Sequence, residues 1–195
     1  MSIWTDLWNL FFPHSCLLCG RQLISGERVL CLKCLSRLPR TQFHLRKDNI
    51  VECNFWGKIP VERATSFLYY AKGGNVRQLL YELKYHGNQE VGEVMGRMMA
   101  SELMCSHFFD GIDLIVPVPL HQRKKRLRGY NQSECLARGV SVVTGIPMNT
   151  KVVIRSRYTD TQTHKGQYAR WENVRNLVCL YFPRWLGRKA SIVGG

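Results

Sequence analysis

Apolar positions along this chain recur at helical spacing in some stretches and in compact runs in others. Ile3, Trp4, Leu7, Trp8 and Phe11 fall on one face of a short helix that Pro13 stops. Val76, Leu79, Leu80 and Leu83 repeat at three- and four-residue intervals, with Gly87 placed as a C-cap. A second helix is predicted from about Gln89 to Ser106. A third covers residues 131–143, where Asn131 suits an N-cap and Glu134 completes a capping-box pattern. A short helix follows near residues 168–174. Residues 61–70, rich in aromatic and small side chains, predict a strand. The apolar run 113–118, ending in prolines, reads as a buried strand of the parallel type. Further strands are predicted over 151–154 and 177–182. Strands alternating with helices predict an α/β fold with a mostly parallel sheet. Residues 36–60, with Pro39, Pro60 and a polar run over 46–49, read as a linker. No internal repeat interrupts this order.

Composition narrows the class. With 195 residues, 45% hydrophobic and 22% charged, the chain has globular values that exclude a disordered or collagen-like polymer. No stretch reaches the roughly 20 apolar residues of a membrane helix. The N-terminal apolar stretch contains Asp6 and lacks a basic leader and a cleavage site, so it does not read as a signal peptide. It is better explained as an amphipathic helix docked on the protein than as a membrane anchor. A reducing, cytoplasmic setting is therefore expected, where eight cysteines do not imply disulfides.

The cysteine spacing supports this. Cys16-x-x-Cys19 and Cys31-x-x-Cys34 are paired, whereas Cys53, Cys105, Cys135 and Cys179 stand singly. Two residues between thiolates let a tight turn aim both sulfurs at one ion. Two such turns complete a closed tetrahedral zinc site, which is structural because it keeps no water position. Gly20 and Ser25-Gly26 supply turn residues. His14 is near enough to be a ligand but is superfluous beside four cysteines. A segment of this size has too little core to fold unaided, and a structural zinc contributes on the order of 10 kcal/mol in peptide hosts.

Charge is unevenly distributed. The chain carries a net +14, and residues 114–195 hold 15 Lys/Arg against 3 Asp/Glu. A basic half suits an anionic partner. In open α/β sheets ligands bind beyond the carboxyl ends of strands, a rule that selects two loops. The first, residues 117–132, carries Arg123, Lys124, Lys125, Arg126 and Arg128, passes through Gly129 and enters a helix at Asn131 and Gln132. Backbone N–H groups at a helix start and arginine forks suit a phosphate or pyrophosphate. The second, residues 155–165, is polar, and its Arg157 and Gln162 are placed to reach over a ligand.

These pieces resemble the ComF family, competence-associated bacterial proteins that join a zinc ribbon to a type I phosphoribosyltransferase-like domain. The resemblance rests on the N-terminal helix into Pro13, the four cysteines, Leu83-Lys-Tyr85, Val116-Pro-Val-Pro-Leu120, Arg128-Gly-Tyr-Asn-Gln132, Thr161-Gln162 and Arg170-Trp-Glu-Asn-Val174. It implies a helix and zinc ribbon over residues 1–45, a linker over 46–60 and a phosphoribosyltransferase-like domain over 61–195. It also implies a cytoplasmic protein that handles incoming single-stranded DNA and binds phosphoribosyl pyrophosphate with Mg2+. On that pattern Lys84, Pro119, Leu120, Arg123, Arg128, Gly129, Asn131 and Gln132 would meet the pyrophosphate, and Arg157 and Gln162 would close over it. Tyr85 would face the same pocket. The family's acidic pair and following Thr-Thr-Gly loop hold the ribose and its 5′-phosphate. Here Gly187–Val193 would begin that strand, and Gly194 and Gly195 stand where the acids would be. The expectation is a chain truncated before this motif and inactive alone as a transferase.

A plain single-stranded nucleic-acid-binding module is the rival reading. Tyr69, Tyr70, Tyr130 and Trp171 would supply stacking rings beside the basic face. A third is an adaptor of the competence machinery gripped through the zinc module.

Overall fold

The computed structural model describes residues 14–155 and 178–180. The helix expected over residues 3–12, the loop beyond Arg155 with Arg157 and Gln162, the helix near 168–174 with Trp171, and the strand expected over 187–193 lie outside the described residues. The described chain runs α1 (Leu32–Ser36), a 3-10 turn (Phe43–Leu45), α2 (Ile50–Cys53), α3 (Asn75–Tyr85), α4 (Gln89–Met104), α5 (Gln122–Arg128), α6 (Gln132–Thr144), β1 (Val153–Arg155) and β2 (Val178–Leu180). No helix among the described residues is long and apolar enough to cross a membrane.

The three longest helices form where the apolar period predicts them. α3 buries Val76, Leu79 and Leu83 along one face. It ends at His86, and Gly87 follows with φ +72°, a left-handed turn that glycine adopts without strain. Asn88 caps α4 by accepting from the Val91 N–H at 3.4 Å. α4 and α6 then pack backbone against backbone. A Cβ added to Gly92 would stand 2.6 Å from the Cys135 Cβ, and one on Gly139 would stand 2.8 Å from the Arg97 nitrogen. At Gly96 the obstacle is the Leu136 carbonyl oxygen itself. Only glycine permits so close an approach.

The core is continuous with the cysteine module. Cys16, Val29, Leu30, Cys31 and Leu38 share one buried cluster with Leu79, Leu83, Val91, Met95, Tyr130 and Cys135. Ion pairs Arg28–Glu90 and Arg40–Glu102, both 2.9 Å, fasten the module's rim to α4.

The described residues show only part of the pairing expected of a parallel sheet. Among the described residues the ladder is a two-stranded antiparallel one, with Val153 opposite Leu180 and Arg155 opposite Val178. Residues 113–118 form only an isolated parallel bridge, Ile115 to Met148. Pro117 and Pro119 lack the N–H that would extend a ladder, which explains why the run stops there. Residues 61–70 likewise form no strand but one antiparallel bridge, Leu68 to Arg40.

Residues 36–60, read as a linker, carry the 3-10 turn and α2. At α2, Asn49 accepts from the Val51 and Glu52 N–H groups while Glu52 accepts from the Asn49 N–H, a complete capping box. Arg63 donates to the carbonyls of His44 (2.8 Å) and Ser106 (3.1 Å) and lies 4.8 Å over the Phe108 ring. This clamp joins the segment to the residues just beyond α4.

Candidate metal centre and basic segment

Two turns present the paired cysteines. After the first pair, the Gly20 N–H donates to the Cys16 carbonyl at 2.8 Å with φ +70°. After the second, the Leu35 N–H donates to the Cys31 carbonyl at 2.9 Å as α1 begins. The Cys31 N–H also donates to the Cys16 Sγ at 3.3 Å, tying one turn to the other. Glu27 locks both in register. Its carboxylate accepts from the Leu32 N–H (2.7 Å), the Ile24 N–H (3.0 Å) and Arg21 Nη2 (3.2 Å). Those donors, Leu32 foremost, hold its pKa below the ordinary 4.5.

The four sulfurs, those of Cys16, Cys19, Cys31 and Cys34, lie within 4.8 Å of one another. Cys19 and Cys31 are 3.7 Å apart. Sulfurs at 2.3 Å from a tetrahedral ion stand about 3.8 Å from each other, so the set fits one ion with little rearrangement. Four thiolates select a soft ion such as zinc or an iron–sulfur iron. Burial pushes the Cys16 thiol up, but N–H donors from Cys31, Leu18 and Cys19 outweigh it and leave it at about 6. Cys34, donating to the Cys19 sulfur and partly desolvated, is pushed up to about 12. A cation entering the cluster displaces the protons that the thiols still hold. His14 is exposed and stands outside the cluster.

The basic segment is not the loop predicted over 117–132. Residues 122–128 form α5, because Gln, Arg, Lys and Leu are good helix formers and Gly129, at φ +79°, ends the helix cleanly. His121 Nδ1 accepts the Arg123 N–H at 3.2 Å at its start. Asn131 is buried and caps α6 by accepting from the Ser133 N–H at 3.1 Å. Its amide also donates to the Val118 carbonyl at 3.0 Å, pinning the proline-bearing run to α6. The capping box expected with Glu134 does not form. Glu134 turns instead to Lys125, whose ammonium reaches its two oxygens at 2.9 and 3.1 Å. The Asn131 amide also reaches one of those oxygens at 3.5 Å, and the ion pair removes Lys125 from the free positive charge.

Predicted site residues are brought together in part. Arg128 lies 5.7 Å over the Tyr85 ring, so the end of α5 meets the end of α3 that carries exposed Lys84. Pro119 and Leu120 are half-buried, and Arg123 and Gly129 are exposed. Gln132, the first residue of α6, has its Nε2 buried without a hydrogen-bond partner among the described residues. Tyr130, expected as a stacking ring, is 7% exposed, and its hydroxyl donates to the Leu83 carbonyl. It braces α3 against α6 and is closed to any ligand. Tyr69 and Tyr70 remain more than half exposed. Sequence reasoning missed Glu27, whose spacing carries no known signal, and the Arg128–Tyr85 contact, which depends on how two helices meet.

Known proteins similar to the chain fall in one group. DNA utilization protein YhgH of Escherichia coli is 28% identical over 171 residues, covering 86% of this chain and 71% of that protein. The protein of the same name from Salmonella typhimurium is 30% identical over 108 residues, covering 54% of this chain and 48% of its own length. Competence protein F of Haemophilus influenzae is 34% identical over 68 residues, covering 35% of this chain and 30% of that protein. No family model matches the chain. No solved structure matches it.

Proposed function

From its membership of the ComF family, we propose that this protein serves the use of incoming single-stranded DNA. In this reading its α5–α6 segment binds a pyrophosphate-bearing ligand of the phosphoribosyl pyrophosphate class, with Mg2+. The 171-residue similarity to a DNA utilization protein, spanning 86% of the chain, carries the reading. The arrangement of charge supports it. Arg123, Arg126 and Arg128 belong to one short helix, and Arg128 lies over the ring of Tyr85, the residue after Lys84 at the end of α3. Arginine forks and a lysine suit oxygen-rich phosphates, whose charge Mg2+ partly neutralises. The Gln132 amide, without a partner among the described residues, supplies a buried donor at the foot of the same segment. Pro119, Leu120, Gly129 and Asn131 shape the backbone there, and Arg157 and Gln162 belong to the same proposed ligand set. The type I phosphoribosyltransferase-like sheet and the division at residues 45 and 60 are part of this reading.

Cys16, Cys19, Cys31 and Cys34 hold structural zinc in it. The closed set of four thiolates leaves no position for water, so the metal organises the fold and takes no part in phosphate chemistry. Competence-machinery proteins are the partners such a module would serve, and the cytoplasm is where it would meet them.

Isothermal titration of the protein with phosphoribosyl pyrophosphate, with and without Mg2+, tests the reading. Saturable, Mg2+-dependent heat that Arg128→Gln and Arg123→Gln abolish is the expected result. Absence of saturable heat overturns it. Affinity for oligonucleotides alone then favours the second reading, a zinc-bearing nucleic-acid-binding protein without transferase activity, for which exposed Tyr69 and Tyr70 speak.

A further inference from the structure

One face of α3 is left unexplained by the core, and the pyrophosphate reading draws only on its end, at Lys84 and Tyr85. The helix buries Val76, Leu79 and Leu83. On its exposed side stand Tyr81 and Tyr85, 50% and 60% exposed, with ring centroids 4.9 Å apart. Solvated helix faces are ordinarily built from Lys, Glu and Gln. Two neighbouring rings half in water forgo the burial for which aromatic residues are suited, which marks the face as one that contacts something else.

The charge around the rings says what. Arg77, one turn before Tyr81, and Lys84, beside Tyr85, are exposed, and neither takes an ion pair among the described residues. Arg128 comes in over Tyr85 from α5. The carboxylate of Glu82, on the same helix, accepts from His86 Nδ1 at 2.9 Å. Gly73, Gly74, Arg77, Gln78 and Tyr81 line a shallow cleft of about 260 Å³ at the start of the helix. A glycine pair keeps that cleft open beside a ring and a guanidinium.

We propose that the Arg77–Tyr81–Tyr85 face of α3, with Lys84 and Arg128, is a stacking platform for single-stranded nucleic acid. Successive bases lie on the two rings while phosphates track the cations. Aromatic rings accept any base because every base has a π-face, and the cations supply affinity without sequence preference. Arg128 over Tyr85 also strengthens that ring's hold on a base by fixing its orientation. A duplex keeps its bases stacked on each other and offers none to the rings, so single strands bind in preference. The platform stands whether or not α5 binds pyrophosphate.

The test uses the full chain with fluorescein-labelled oligo(dT), oligo(rU) and a duplex of equal length, read by anisotropy across a salt series. Stacking is worth a factor of roughly 5 to 150 per base, so the double variant Tyr81→Ala/Tyr85→Ala is expected to weaken oligo(dT) at least tenfold. Its salt slope should stay unchanged, because no phosphate contact is lost. Tyr81→Phe/Tyr85→Phe keeps the rings and should bind within twofold of the parent. Arg77→Gln should instead lower the slope by about 0.7, one phosphate's share. Oligo(rU) binding as well as oligo(dT) is expected of a platform blind to the 2′-hydroxyl. Two results overturn the proposal: the alanine pair binding within twofold of the parent, or the duplex binding as tightly as the single strand. Calorimetric titration of the single variant Tyr81→Ala with Mg2+–phosphoribosyl pyrophosphate separates the two readings, since Tyr81 belongs to no part of the pyrophosphate set and its loss leaves that heat unchanged.

Discussion

Replacing Gly96 by alanine isolates the packing that holds the helical part together. A Cβ there would overlap the Leu136 carbonyl oxygen and come 3.0 Å from the Leu136 carbonyl carbon and 3.2 Å from the Gly139 Cα. All three obstacles are backbone, so no rotamer change relieves them, and α4 and α6 must separate along their contact. Overfilling a packed site costs typically about 1–3 kcal/mol, and a backbone obstacle puts this case at the upper end. Alanine returns about 1 kcal/mol because it is a better helix former than glycine. The net loss is about 2 kcal/mol, which for a chain of this size lowers Tm by roughly 4–8 °C. Thermal melting followed by far-UV circular dichroism at fixed zinc reads it. Gly74→Ala is the control, since its Cβ would meet only Ala71 atoms at 3.5 and 3.6 Å. A Gly96→Ala protein that melts at or above the parent's temperature would refute the close approach of the two helices.

Other outcomes follow from the cysteine module and its neighbours. Metal analysis of the purified protein should find one zinc per chain, and Cys31→Ser should lose it together with helical signal. The Glu27 carboxylate titrates below its ordinary 4.5 in the folded chain, so its stabilisation is fully present above that value and is lost as pH falls through the lowered pKa. Glu27→Gln should therefore melt lower than the parent at neutral pH, and the gap should close on acidification. Tyr130→Phe removes one buried hydrogen bond and leaves the Leu83 carbonyl without that donor, a loss of about 1–3 kcal/mol visible in urea unfolding.

The helices were legible because their apolar period is strong. α3, α4 and α6 begin within a residue of where Val76, Gln89 and Asn131 put them in the sequence. The strands were legible in part: β1 overlaps the predicted 151–154 and β2 lies within 177–182, but 61–70 and 113–118 form only single bridges. Apolar runs such as 113–118 show that a segment is sheltered, and pairing depends on partners elsewhere in the chain and on prolines that refuse it. The four-cysteine cluster was fully legible, since two C-x-x-C turns leave the sulfurs little choice. The capping box at α2 was also written in the sequence as Asn49-Ile-Val-Glu52, hidden inside a stretch whose polarity resembled a linker. Gly92, Gly96 and Gly139 were visible as helix-interior glycines, but only the packed pair shows what they are for.

The shared core of the cysteine turns and the helices has a thermodynamic meaning. Cys16 and Cys31 are buried in the same apolar cluster as Leu79, Leu83 and Val91, so neither side can open without exposing the other. The module is then no detachable clip but one wall of a single cooperative unit. Chelation should appear as a shift of the whole unfolding transition, not as a separate early step. With zinc in the four-cysteine site as proposed, metal supply would set how much of the protein is folded at all.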